Sequence, residues 1–126
     1  MLSDSVLDTL FRAARTHNAW QQRAVSDADL RSIYDLMKWG PTAANCQPCR
    51  IVWVRTTAAK EKLRAALSPA NVDKSMAAPV TAIVAYDLDF FEHLPRIYPQ
   101  ADARSWYAGK PEVAERAAFQ SGSLQA

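Results

Sequence analysis

The spacing of apolar and polar positions divides the chain into short helical and strand-like stretches. Residues 4–15 carry Val6, Leu7, Leu10, Phe11 and Ala14 at helical spacing, with Asp4 at the entry, which predicts an amphipathic helix. A second helix is signed at both ends. Ser26, with Asp29 three residues on, resembles a capping box with Asp in place of Glu. Leu30, Ile33, Tyr34 and Met37 then form one face, and Gly40-Pro41 is a stop signal in the expected order. Residues 40–49, GPTAANCQPC, read as a loop. Arg50 to Thr56 alternates and is rich in β-branched residues, the mark of a strand. Helical spacing returns over Ala58 to Leu67, Ser68-Pro69 breaks it, and a short turn or helix covers 70–76. Pro79 to Tyr86, apolar on both faces, predicts a second strand in a central position. Residues 89–94 form a helical turn ended before Pro95, and 95–110 a loop mixing Tyr98, Arg104, Trp106 and Tyr107. Pro111 opens a last helix through Ala117, Ala118 and Leu124.

Periodicity alone yields an α/β domain with two clear strands, and a two-stranded sheet is marginal by itself. The last helix also shows no stop signal. The expectation is that residues 1–126 are the N-terminal portion of a single longer domain. The alternative is a frayed final helix packed on a two-stranded core.

Composition narrows the function classes. The 126 residues are 49% apolar and 22% charged, ordinary for a globular chain. Only three are glycine, Gly40, Gly109 and Gly122, and no two lie close together. Neither a P-loop nor a Gly-rich dinucleotide fingerprint can be written with them. A bound nucleotide would be held by side chains or a plain helix N-terminus. Fifteen basic and thirteen acidic residues are interspersed for a net charge of +2, without the dense basic face of a nucleic-acid binder. The longest nearly apolar run, Ala77 to Tyr86, is too short to span a membrane. Asp4 and Asp8 stand where a signal peptide would need positive charge and a pure apolar core, so a cytoplasmic location is expected.

Cys46-Gln47-Pro48-Cys49 has the spacing of a redox dithiol. Its context differs from one: the pair precedes a strand instead of opening a helix, and Pro48 resists a helical turn at Gln47. Zinc would need two more ligands, and only His17 and His93 exist, 29 residues before and 44 after the nearer cysteine. Two ordinary loop thiols are the simpler reading.

Three separated segments share one character. They are Arg15-Thr16-His17-Asn18-Ala19-Trp20, then Gly40 to Arg50, and then Asn71-Val72-Asp73-Lys74 followed by Ala78-Pro79 and a strand. Read one at a time, each residue has an ordinary explanation. Arg15 is a helix-end cation, Asn45 a turn residue, Asn71 a loop residue and Lys74 a surface charge.

Taken together, in order, the segments resemble the nitroreductase family of flavin enzymes. The first resembles that family's R-[R]-[ST]-x-[RKN]-x-[FW] pattern. The second resembles its P-[ST]-[AS]-x-N-x-Q-P-[WC]-[RH] loop, with Pro41, Thr42, Ala43, Asn45, Gln47, Pro48 and Arg50 in place. The third resembles its Asn and Lys ahead of an A-P-V strand. The matches cover residues 9–86. Asp102 to Trp106, the helix after Pro111, Lys38 to Thr42 and Gln125-Ala126 look like one branch, the malonic semialdehyde reductases of pyrimidine breakdown.

The resemblance implies an α+β fold, an α/β sandwich of helices around a mixed, mainly antiparallel sheet, incomplete in this chain. It implies FMN as cofactor, NADH or NADPH as hydride donor, and an aldehyde or a nitro- or quinone-type acceptor. Hydride would pass through flavin N5, and no protein general base is nominated. It also implies a homodimer with the flavin at the subunit interface. Arg15, Thr16, His17 and Asn18 look like phosphate and ribityl ligands, although Ala14 stands where many members have a further Arg. Pro41, Thr42 and Ala43 look like the loop that reaches the flavin ring from the partner, and Asn45 like the residue that fixes it. Asn71 and Lys74 look like contacts to the polar edge of the flavin. Arg104 is the candidate cation for a substrate carboxylate. Family chains continue with further strands and flavin contacts, so weak or no FMN binding is expected of these residues alone. Two other classes remain: a redox dithiol protein using Cys46 and Cys49, and a non-catalytic fragment that pairs with another chain.

Overall fold

A capping box sets the start of the longest early helix. Ser26 is extended, and its hydroxyl accepts from the Asp29 backbone N–H at 3.1 Å. The Asp29 carboxylate accepts in return from the Ser26 backbone N–H at 2.9 Å. Two N–H groups that a helix start leaves orphaned are thereby satisfied. The computed structural model describes residues 1–126 and places this helix as the second of six. In chain order they are α1 (Asp4–Leu7), continued as a π turn over Asp8–Arg12; α2 (Asp27–Met37); β1 (Cys49–Val54); and α3 (Thr57–Arg64). There follow α4 (Pro69–Ala77), β2 (Thr81–Tyr86), α5 (Leu94–Ile97) and α6 (Pro111–Gln125). Short 3₁₀ turns lie at Ala43–Asn45, Phe90–His93 and Ala103–Trp106.

The strands pair antiparallel, with Cys49 opposite Tyr86 and Val54 opposite Thr81. Helix α6 packs on both, and the Tyr86 and Phe119 rings meet edge-on at 6.0 Å. Helices α3 and α4 pack together beyond the strand ends. This is the expected α+β arrangement of helices with an antiparallel sheet.

Four local expectations are corrected. The first helix ends at Arg12 and not at residue 15: the Ala13 N–H reaches back five residues to the Asp8 carbonyl at 2.8 Å, so the ladder widens and stops. Within residues 1–126 strand β2 is not central. It pairs with β1 alone, and Ala82 to Tyr86 are exposed. Its apolar character on both faces has no second layer to bury it within these residues. Pro95 does not end a helix but sits in the first turn of α5, where a missing N–H costs nothing.

The fourth correction is the largest. The stretch read as loop, 95–110, contributes Ala103 and Tyr107 to the core, with Ile97 and Tyr98 packed against it. Phe90, Leu94, Ala103, Tyr107, Ala114, Ala118 and Cys46 form one buried cluster. The Phe90 and Tyr107 rings pack edge-to-face with centroids 4.9 Å apart, a favourable quadrupole arrangement. The elements here are single turns, too short to show a periodic pattern.

The loop between α2 and β1 is pinned by buried polar groups of α6. Ser121 Oγ accepts from the Ala43 N–H at 3.4 Å, and Gln125 Oε1 from the Cys49 N–H at 3.2 Å. Both side chains are buried. Gly40 permits the close approach, since a Cβ there would lie 2.9 Å from the Leu124 carbonyl oxygen. The loop is also conformationally strained. Ala44, Asn45 and Gln47 have φ of 50°, 53° and 42°. Asn tolerates this left-handed region, whereas Ala and Gln carry a steric cost of about 1–2 kcal/mol each.

Two predictions follow from these contacts. Gly40→Ala should destabilise by about 1–3 kcal/mol, because its neighbour is backbone and cannot yield cheaply. Ala44→Gly should be neutral to about 1 kcal/mol stabilising, since relief of strain outweighs the added freedom of the unfolded chain. Urea denaturation of both variants checks the opposite signs. The capping box gives a pH dependence. The Ser26 backbone N–H, then its hydroxyl, hold the Asp29 carboxyl below its ordinary value of 3.8. A group depressed on folding stabilises fully above that ordinary value and loses its contribution as pH falls through the lowered one. Ellipticity during acid titration should therefore show a step in that window which Asp29→Ala removes.

Candidate functional site

The three segments singled out in the sequence occupy two places. The first joins the segment after α1 to α4. Asn71 and Lys74 lie three residues apart and so share one side of α4. Lys74 Nζ donates to Asn18 Oδ1 at 3.3 Å, across 56 residues of sequence. Trp20 Nε1 donates to the Lys74 carbonyl at 2.7 Å. An ammonium and the Asn18 amide thus stand together, with Asn71 one turn away on the same side of α4. A cation beside exposed amide groups suits a ligand with an anionic or carbonyl-rich edge.

Arg15, Thr16 and His17 lie just upstream and are exposed. The Arg15 guanidinium donates to the carbonyls of Arg12 at 3.0 Å and Ala14 at 2.6 Å, which closes the frayed end of the first helix. His17 and Trp20 line an open cleft of about 700 Å³ that is floored by Ile33, Leu36 and Pro79.

The second place is the loop after α2. Pro41, Thr42 and Asn45 line a separate cleft of about 470 Å³ with Lys38, Trp39 and Gln47. Thr42 Oγ1 accepts from the Gln47 N–H at 3.3 Å. Gln47 Nε2 donates to Asn45 Oδ1 at 2.6 Å, and Asn45 Nδ2 reaches the Ile97 carbonyl at 3.5 Å. Asn45 is therefore an internal brace of the loop. Pro41 and Ala43 are exposed on its outer side.

Arg104 stands apart from both, on the 3₁₀ turn over Ala103–Trp106. It makes a two-pronged pair with Glu92, at 2.8 and 2.7 Å, and not with its neighbour Asp102. Hydrogen bonding to Arg104 holds the Glu92 carboxyl below the usual range, and the same bonds raise the guanidinium's own pKa.

The cysteines lack the electrostatics of a redox pair. Burial pushes the Cys46 thiol up, against weaker opposing hydrogen bonds from Ser121 and Thr42. Burial also pushes Cys49 up, with Arg50 opposing. A reactive dithiol needs the reverse shift, toward thiolate at neutral pH.

Two residues were not assigned a role by the sequence. Lys60 is buried, and its Nζ donates to the carbonyls of Met76, at 3.1 Å, and of Ala78 at the end of α4. A lysine at a helical position carries no sequence sign of burial. Trp20 belonged to a matched motif, yet only the fold shows which carbonyl its N–H meets. No helix is long and apolar enough to cross a membrane.

The fold is shared with solved structures. A protein of Exiguobacterium sibiricum, described as a nitroreductase and solved with FMN, superposes with a TM-score of 0.82 at 15% identity, over 98% of this chain and 66% of its own. A Bacillus subtilis protein described as a nitroreductase gives 0.82 at 21% identity, over 96% of this chain and 66% of its own. A Staphylococcus epidermidis protein described as an NAD(P)H:FMN oxidoreductase gives 0.70 at 19% identity, over 82% and 56%. The chain thus spans 66% of the length of the first two of these relatives. The nitroreductase family model matches residues 7–121, nearly the whole chain and both of the places just described. This chain belongs to the nitroreductase family.

Proposed function

We propose that the protein is an FMN-dependent NAD(P)H oxidoreductase that reduces a small carbonyl compound, malonic semialdehyde to 3-hydroxypropanoate. The observation that carries the reading is the hydrogen bond from Lys74 Nζ to Asn18 Oδ1. It unites two of the three matched segments in one polar group without any glycine cradle.

The donor set suits the cofactor's chemistry. Arg15 would take the phosphate by paired, charge-assisted hydrogen bonds, with Thr16 and His17 as added donors. Asn18 would meet the ribityl chain, and Asn71 and Lys74 the carbonyl-rich edge of the ring. When bound, the flavin supplies the hydride chemistry, while the protein supplies orientation and charge. The S. epidermidis relative is described as an NAD(P)H:FMN oxidoreductase, which supports a nicotinamide donor. Pro41, Thr42 and Ala43 would meet the flavin of a second copy in a homodimer. That placement is supported by Pro41 and Thr42 lining a cleft that includes neither Asn18 nor Lys74, with Ala43 exposed beside them.

Arg15 is folded back on its own backbone, and residues 8–24 are exposed. The donors of Arg15, Thr16 and His17 are therefore not preorganised, and ordering them opposes binding. The expected outcome of an FMN titration followed by flavin fluorescence is weak, saturable binding, with a Kd above about 1 μM. Arg15→Ala and Lys74→Met should each weaken it further. Binding indifferent to both variants overturns the reading.

Arg104 is proposed as the cation for the substrate carboxylate, exchanging Glu92 for it. In a protein active with NAD(P)H, Arg104→Ala should raise KM for malonic semialdehyde about tenfold, the loss of one charged hydrogen-bonded pair. KM for an uncharged aldehyde and the flavin content should not change. Equal effects on both aldehydes would remove Arg104 from this role.

A further inference from the structure

Helix α4 presents Asn71 and Lys74, and its last turn is gripped from two sides. From α3, the buried Lys60 ammonium holds the carbonyls of Met76 and Ala78. From the segment after α1, Trp20 Nε1 donates to the carbonyl of Lys74 at 2.7 Å. That carbonyl also accepts from the Ala78 N–H at 3.1 Å, so it serves two donors. Lys74 then returns the contact through Nζ to Asn18 Oδ1 at 3.3 Å. Two residues of one segment thereby hold the backbone and the side chain of a single lysine.

Burial cannot explain how this segment is placed. From Met1 to Ala24 every residue except Leu7 is exposed. The bonds at Trp20 and Asn18 are the only side-chain hydrogen bonds that tie residues 1–24 to the rest of the chain. Trp offers a single donor and no acceptor, so its ring orientation and its bond are set together. The carbonyl it meets belongs to the residue whose ammonium meets Asn18.

We propose that Trp20 is a positioning residue: its indole N–H fixes the backbone of Lys74, and so presets the Lys74–Asn18 pair as one polar edge for ligand. The ligand assigned to that edge rests on the flavin reading; the clasp itself does not.

The test has two arms. In the ¹⁵N-labelled chain, the Trp20 indole N–H should exchange with solvent at least about fivefold more slowly than that of Trp39, the size of effect one neutral hydrogen bond allows. Trp39 is a suitable reference because it is 80% exposed. Equal exchange overturns the clasp, and this measurement needs no variant. In the second arm, Trp20→Phe keeps the ring and deletes only the donor. FMN affinity should fall about fivefold, while the melting temperature stays within about 4 °C. Lys74→Met should then cost less in Trp20→Phe than in the unaltered chain, because the two losses are coupled. Additive losses would leave Trp20 a structural residue and overturn the positioning role. If the unaltered chain binds no FMN, residues 1–126 alone do not make the flavin site, and indole exchange alone decides the clasp.

Discussion

The buried polar side of α6 is the constraint on which the rest of the arrangement depends. A loop that runs beneath a helix must satisfy its backbone N–H groups or lose the free energy of their hydration. Ser121 and Gln125 meet two of these groups, on Ala43 and Cys49. Gly40 lets the end of α6 approach the loop, and at Gly122 a Cβ would lie 3.3 Å from Tyr86 Cβ and 3.9 Å from Pro48 Cγ. Cys49 is the first residue of β1. The contact that closes the loop therefore also sets where the sheet begins, and through the register, where β2 leads back from α4. Two of the three glycines serve this contact. Scarce glycine in this chain is spent on helix packing, and the left-handed positions of the loop fall to Ala44, Asn45 and Gln47 instead.

The two parts of the site are held by different physics. The Pro41–Cys49 loop rests on the core: Cys46 and Pro48 are buried, and α6 covers the backbone. Its geometry is fixed by packing, strongly enough to sustain three strained residues. The Asn18–Lys74 side has no such support. It depends on two directional hydrogen bonds at an exposed surface. Such bonds contribute little net free energy in water, yet they define orientation. On the proposed reading, a site divided in this way would have one rigid wall and one that a ligand would help to order.

Several elements were legible in the sequence for reasons the structure repeats. The α2 start was visible because Ser26 and Asp29 act through adjacent backbone, and local chemistry is written locally. Strand β1 was visible from its β-branched residues, and it alternates in burial, with Arg50 and Val52 exposed, up to the buried Val54. The Asn and Lys of α4 were visible as part of an ordered set of motifs. Residues 89–110 were not legible. Phe90, Leu94, Ala103 and Tyr107 are buried by one another across single turns, and no spacing within four residues reveals a partner twelve or more away. The pairing of Arg104 with Glu92 was hidden for the same reason, since Asp102 is closer in sequence yet makes no ion pair with it.

The sequence by itself determined the starts of α1, α2 and α6, the two strands, the exclusion of glycine-cradle nucleotide sites and the motifs from which the donor set is proposed. All of these depend on neighbours within about one or two turns, or on composition. The tertiary structure alone decided which donors meet. It turned Arg15 back on its own helix, joined Lys74 to Asn18 and Trp20, and buried Lys60, Ser121 and Gln125 as braces. Apart from the Arg15 contacts, which reach back one and three residues, these outcomes rest on contacts spanning 16 to 78 residues, where a polar group must find a distant complement. Such complements are fixed by the path of the whole chain and not by the local pattern.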